Sequence, residues 1–216
     1  MKSDLEVRQD VERELAWDPR IDAANIAVAA KQGVVTLTGQ VRNFIEKWEA
    51  EDAAKRVVGV IGIANDLEVT LVGPAVSDTD LAERVSMALQ WNAAVPADAI
   101  KAVVSDGWVT LEGSVQWYHQ KAAAEDAVRS LHGVRGVTNL ISIDNPVDPQ
   151  DLSGRISEAL TRNAHIDARN VTVRAEGHTV VLEGSVRTWA EREEAEKAAW
   201  AAPGVTSVEN RLVVLD

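Results

Sequence analysis

Apolar residues recur at every fourth position in three places along the chain: Val7, Val11, Leu15; Leu81, Val85, Leu89; and Leu152, Ile156, Leu160. That spacing puts each trio on one face of a helix. "SDTD" before the second trio and "DPQD" before the third supply side-chain oxygens for the first unbonded amides, as N-terminal caps. After each helix the period shortens to two. A short strand ("NIAVAA", Asn25 to Ala30, and its counterparts) leads through a brief turn into "GVVTLTGQV" (33–41), "GWVTLEGSV" (107–115) or "HTVVLEGSV" (178–186). Val35, Leu37 and Val41 share one parity with Gly39, so this stretch is the second strand of a hairpin with one buried face. An alanine-rich helix follows, with Ala50, Ala53, Ala54 and Val57 on one face. "GV" ends it, with Gly59, Gly133 and Gly204 at the helix C-terminus. A last strand alternates: Leu67, Val69, Leu71; Ile141, Ile143; Leu212, Val214.

The pattern is a repeat. With Leu37, Leu111 and Leu182 in register, the copies are offset by 74 and then 71 residues, and the first matches the second at 15 of the 37 positions from Gly33 to Val69. Glycine recurs at Gly39, Gly113 and Gly184, asparagine at Asn65, Asn139 and Asn210, and an aromatic at Phe44, Tyr118 and Trp189. The period exceeds the roughly 20–50 residues of stacked solenoid repeats, and each unit is long enough to hold a small core. The expected class is α+β: three tandem αββαβ domains (1–72, 77–144 and 148–216), each a three-stranded mixed sheet with two helices on one face. Gly39, Gly113 and Gly184 lie on the inward parity, where a missing side chain is expected to let a helix approach the sheet. The joints "VGPAVSD" (Val72 to Asp78) and "DNPVDPQ" (Asp144 to Gln150) are short and carry proline, so they should be stiff.

Composition narrows the classes. With 46% apolar residues the chain can bury a core, and no run of eighteen apolar residues is present to cross a membrane as a helix. The start, "MKSDLEVRQDVERELAW", carries acids throughout and lacks an apolar h-region, which argues against a signal peptide and for a cytoplasmic protein. The absence of cysteine excludes disulfides, thiolate catalysis and cysteine-bound zinc or iron–sulfur clusters. The net charge of −12 divides as −4 per third, so phosphate backbones and anionic headgroups are repelled at long range. The longest basic run is Lys55 and Arg56, and no nucleic-acid partner is expected.

These residues resemble the BON domain (bacterial OsmY and nodulation). The hairpins "KQGVVTLTGQV" and "SDGWVTLEGSV", the helix ends "AKRVVGVIGIAND", "AVRSLHGVRGVTN" and "AAWAAPGVTSVEN", and the upstream Leu-x-x-Asp/Asn with a following Ile or Val carry the likeness, over nearly the whole chain. The third copy departs by placing His178 where the turn glycine stands, one residue after Gly177, and by reading "APGV" at its helix end. The resemblance implies a non-catalytic module without cofactors, linked to osmotic stress and envelope integrity. Phospholipid or a membrane-associated partner is the implied ligand, and some members bind potassium. A soluble multivalent interaction scaffold and potassium sensing are the alternatives.

Catalytic chemistry is hard to place. The four histidines, His119, His132, His165 and His178, fall at unrelated repeat positions and form no i, i+4 pair, as surface or turn residues do. The acids of "EAED" (Glu49 to Asp52) and "EREEAE" (Glu191 to Glu196) alternate with lysine and arginine, the pattern of a solvated helix face. Trp17 and Trp91 share one repeat position at the end of the first helix, where the third copy has Arg162. They are expected to cap the core edge of their domains, with ligand or partner contact as the alternative. Trp108 has outward parity on its strand and is expected to pack on a neighbouring repeat, or else to meet a ligand or lipid.

Overall fold

In a computed structural model, residues 2–71, 73, 76–144, 151–163 and 168–215 are described. The first repeat comprises α1 (Asp4–Trp17), β1 (Ile26–Lys31), β2 (Val34–Val41), α2 (Phe44–Lys55) and β3 (Gly62–Val69). The second comprises α3 (Asp78–Trp91), β4 (Ile100–Ser105), β5 (Trp108–Val115), α4 (Tyr118–Arg129) and a last strand in two pieces, β6 (Gly136–Asn139) and β7 (Ser142–Ile143). The third comprises α5 (Leu152–Arg162), β8 (Val171–Glu176), β9 (Thr179–Val186), α6 (Trp189–Trp200) and β10 (Ser207–Val214). The class is α+β, and the order αββαβ recurs three times. Residues 72, 74 and 75 of the first joint and 145–150 of the second lie outside the described residues, as does His165.

The second hairpin strand is central in every sheet: β1-β2-β3, β4-β5-β6 and β10-β9-β8. Its hairpin partner runs antiparallel, while β6 and β10 run parallel to β5 and β9, so the sheets are mixed. Two of the hairpins turn on consecutive positive-φ residues, Gln32–Gly33 and Asp106–Gly107. That backbone matches the twist of the strands it joins. In the second repeat the Asp78 carboxylate accepts from both Asp106 N and Gly107 N, at 2.8 and 3.0 Å, and pins the turn to the start of α3.

The helices cover one face of each sheet. Val7, Val11, Leu15 and their counterparts on α3 and α5 are all buried, together with Ala50, Ala53 and Ala54. Ser77 and Asp151 cap α3 and α5 as their positions predict, and Ser3 with Glu6 forms a full capping box on α1. The chain divides into two compact units, Met1–Gln40 with Glu46–Glu68 and Val147–Asp216, and Val41–Ile45 with Val69–Pro146. In the second unit Phe44 packs against the core formed by Leu81, Val85, Leu89 and Leu111.

Two glycine sets hold their places for reasons other than those expected. At Gly39, Gly113 and Gly184 φ is +132°, +140° and +123°. A Cβ there would collide with the carbonyl oxygen of Asn25, Ala99 or Asn170, at the end of a short 3-10 turn entering the hairpin. The close approach is backbone to backbone within the hairpin, not helix to sheet. Gly59, Gly133 and Gly204 lie past the helices, in turns closed by Val60 N to Val57 O (3.3 Å), Val134 N to Leu131 O (3.2 Å) and Val205 N to Ala202 O (3.3 Å). Their φ values of +97°, +109° and +92° fill the third turn position, which demands glycine. In the third repeat Pro203 therefore stands at the second turn position, which proline favours.

The recurring asparagines tie the second helix to the last strand. Asn65 Nδ2 donates to Lys47 O and Glu51 Oε2, and Asn65 Oδ1 accepts from Leu67 N. Asn139 makes the same three bonds with Lys121, Glu125 and Ile141, and Asn210 with Arg192, Glu196 and Leu212.

Candidate functional site

α1 and α3 each end on a tryptophan turned to solvent. Trp17 is 84% and Trp91 80% exposed, so neither caps a core edge. The register accounts for it. Val7, Val11 and Leu15 spend the inward positions of α1, and Trp17 falls two residues beyond the last of them, on the opposite side of the helix. The next residue, Asp18 or Asn92, breaks the helix in extended conformation. Its side chain accepts from the amide two residues on, Arg20 N or Ala94 N, at 3.0 Å in both repeats. In the third repeat Arg162 stands at this position, 3.7 Å from Glu158.

Trp17 rims an open depression of about 430 Å³ with Val57, Val58, Lys2, Asp10, Arg13, Glu14 and Arg56. Its cations are engaged. Lys2 meets Asp10 at 2.6 Å, Arg13 meets Asp10 at 3.1 Å, and Arg56 meets Glu14 at 3.0 Å and Asp52 at 2.6 Å. Asp18 bonds to Arg20 at 2.6 Å, which with the Arg20 amide holds its carboxyl down at about 2. Arg20 also pairs with Glu49, which is buried, as are Glu46 and Glu191. Glu46 accepts from Asp22 N at 2.7 Å, and Glu191 is gripped by Arg187 through backbone and guanidinium. These acids are structural partners rather than a solvated helix face.

The residues that precede Trp91 on α3 differ. Met87, one turn earlier, is 48% exposed, where α1 has Arg13. Arg84 points its guanidinium at the His132 carbonyl, 3.5 Å away.

Trp108 keeps its outward parity on β5 but lies down on its own sheet. Its Nε1 donates to Thr138 Oγ1 at 2.8 Å, and a Cβ on Gly136 would come within 2.7 Å of its Cη2. The indole covers the bare backbone of the edge strand β6 and stays half exposed. The first repeat places Val34 over Gly62 in the same way. Pairing of Trp108 with Gly136 was open to inspection from the repeat register, since glycine recurs at 62 and 136 opposite the larger side chain.

An open groove of about 520 Å³ in the second repeat is lined by Pro96, Ala99, Ser114, Gln116, Gln120 and Asp144. Gln120 Oε1 is occupied by the amides of Gln116 and Trp117, and no base–nucleophile pair faces the groove. His178 Nδ1 is 2.7 Å from Gly204 O, inside its own repeat. Among the described residues no cluster of three or more His, Asp or Glu is placed to hold a metal ion, and no helix is long and apolar enough to cross a membrane.

The BON domain family matches residues 3–70, 77–145 and 148–216. Osmotically-inducible protein Y of Escherichia coli (strain K12) is 30% identical over 142 residues, which is 63% of this chain and 70% of that protein. A 21 kDa hemolysin of Actinobacillus pleuropneumoniae is 31% identical over 129 residues, 58% of this chain and 64% of the relative. CdsD, a structural protein of the type III secretion system of Chlamydia trachomatis, aligns over 97% of this chain and 92% of its own, at 16% identity and a TM-score of 0.27. A score that low carries no argument about fold or function.

Proposed function

The chain belongs to the BON domain family, and from that premise we propose that it is a non-catalytic, stress-linked binding protein whose first two repeats engage phospholipid bilayers through Trp17 and Trp91. The observation that carries this reading is the solvation of both indoles at the same repeat position. An indole has an apolar body and one N–H donor, and it gains most where one side is wet and the other apolar, as at a membrane interface. A protein interface needs an apolar core of buried side chains around its anchor residues. The rim of Trp17 is charged apart from Val57 and Val58, which suits a single interfacial anchor better than a protein-docking core.

Likeness to Osmotically-inducible protein Y supports the link to osmotic stress. Trp108 is left out of the proposed contact, because its indole lies on β6 rather than projecting. Co-sedimentation of the full chain with phosphatidylcholine vesicles tests the reading. Wild type and Trp108→Phe are expected to bind alike, and a Trp17→Ser, Trp91→Ser double variant to lose binding. Unchanged binding by a folded double variant would refute it.

A further inference from the structure

We infer that the open sheet face of the second repeat binds an extended, neutral sugar chain, with one pyranose ring stacked on the indole of Trp108. The site is separate from the helix tips and does not rest on the bilayer reading. Val109 and Leu111 are buried, so Trp108, Thr110 and Glu112 face away from the helices. The register sets Ser105 and Gly136 beside Trp108, Val103 and Thr138 beside Thr110, and Lys101 beside Glu112. Leu140 continues that parity between Thr138 and Ser142. Val103, Trp108 and Leu140 are each at least half exposed, so three large apolar side chains share one solvent-facing surface. The position of Trp108 is Val34 in the first repeat and Thr179 in the third, whose open face is crossed by ion pairs from Glu183 to Arg174 and Arg211.

The geometry of the indole selects the occupant. Its one N–H donor is engaged with Thr138 Oγ1, and one ring face lies on the backbone of Gly136. The other ring face remains, held along the sheet before any ligand arrives. The negative face of an aromatic ring attracts weakly positive C–H groups, and a pyranose presents a plane of these with hydroxyls at its edge. Ser105, Thr110 and Thr138 place hydroxyls on the same surface to meet them. Size argues against a protein. Three strands spaced about 4.8 Å apart, along the six residues of β4, give a face of roughly 300 Å², against about 800 Å² per partner in a stable protein interface. Charge argues against nucleic acid, since Lys101 and Glu112 oppose each other across the strands and the chain carries −12. A sheet surface has no walls to enclose a small molecule, so a polymer that lies along it fits best. A β-linked chain of glucose or N-acetylglucosamine is extended and exposes its ring faces, whereas an α-linked glucan curls.

The test follows the indole N–H resonances of the seven tryptophans in the full chain as cellohexaose, chitohexaose or maltohexaose is added. The Trp108 resonance, identified by its loss in Trp108→Val, is expected to shift saturably with the two β-linked sugars and little with maltohexaose, while those of Trp17 and Trp91 stay in place. Trp108→Val should fold, because valine lies over glycine in the same way at Val34 of the first repeat. Read by calorimetry, it should bind the β-linked sugars about tenfold more weakly, the usual worth of one ring stacked on an aromatic side chain. Trp108→Phe keeps a ring face and should stay within a few-fold of wild type. No saturable shift at Trp108, or wild-type affinity in folded Trp108→Val, would overturn the inference and leave the bilayer reading untouched. Equal binding of maltohexaose would overturn the requirement for an extended chain.

Discussion

Lys55 Nζ of the first repeat lies 2.6 Å from Glu193 Oε1 of the third, and a second carboxylate, Glu51, holds the same ammonium at 3.0 Å. The two repeats that begin and end the chain share one compact unit, and this ion pair joins α2 to α6 within it. Burial opposes the charged form of Lys55, but the two carboxylates outweigh it and raise its pKa above the ordinary 10.5. A double-mutant cycle with Lys55→Met and Glu193→Gln is expected to return a coupling of about 1 kcal/mol. Because the folded pKa is the higher one, the coupling should be full below pH about 10 and fade as pH rises through the folded value. A cycle that closes to zero at neutral pH would detach the two repeats energetically.

Gly113→Ala is expected to cost about 3 kcal/mol of stability, nearly as much as Gly113→Val. The first added carbon already meets the Ala99 carbonyl, whose carbon would be 3.1 Å away, at a φ of +140°. Crowding against a helix would instead spare alanine and punish valine. Urea midpoints of the two variants separate these causes.

The periodicities read from the sequence correspond to the elements with little displacement, because each repeat spends its apolar residues on one face. Val7, Val11 and Leu15 went where their spacing required. The helix cap of Ser3 and Glu6 was equally legible as Ser-x-x-Glu and passed unread. Gly39 recurs visibly, but recurrence does not say which atom forbids a side chain, and a backbone carbonyl from the hairpin partner leaves no pattern of its own. Trp17 was misplaced for a related reason. A large apolar residue at a helix end reads as core by composition, and only its angular offset from Leu15 turns it outward. Glu49 reads from the sequence as part of a solvated helix face, and neither its burial nor that of Glu46 leaves a local pattern, because their partners, Arg20 and Asp22 N, lie 29 and 24 residues away in sequence.

Val58→Pro should raise the stability of the first repeat by roughly 0.5–1 kcal/mol. Val58 occupies the turn position that Pro203 fills in the third repeat, and the residue after it, Gly59, has the same positive φ as Gly204. The substitution restricts the unfolded chain without asking the folded one to move. A lower denaturation midpoint would show that the two turns differ in shape.

Asp18 makes stability acid-sensitive in a defined window. Its folded pKa is lowered from 3.8 to about 2, chiefly by hydrogen bonds from Arg20. A depressed carboxylate contributes in full above its unfolded value and loses that contribution as pH falls through the folded one. Asp18→Asn should therefore flatten the decline in stability between pH about 4 and about 2. Chemical denaturation of both proteins across that range reads it directly, and parallel curves would assign the acid sensitivity to other groups.

Quenching of tryptophan fluorescence by phosphatidylcholine brominated along its acyl chains tests the central claim, because bromine quenches only indoles that reach the hydrocarbon boundary. The account predicts quenching of the wild-type chain that disappears in the Trp17→Leu, Trp91→Leu variant, with Trp108 and the remaining indoles contributing none. Quenching that survives in that folded variant, or its absence from wild type bound to the same vesicles, would contradict it.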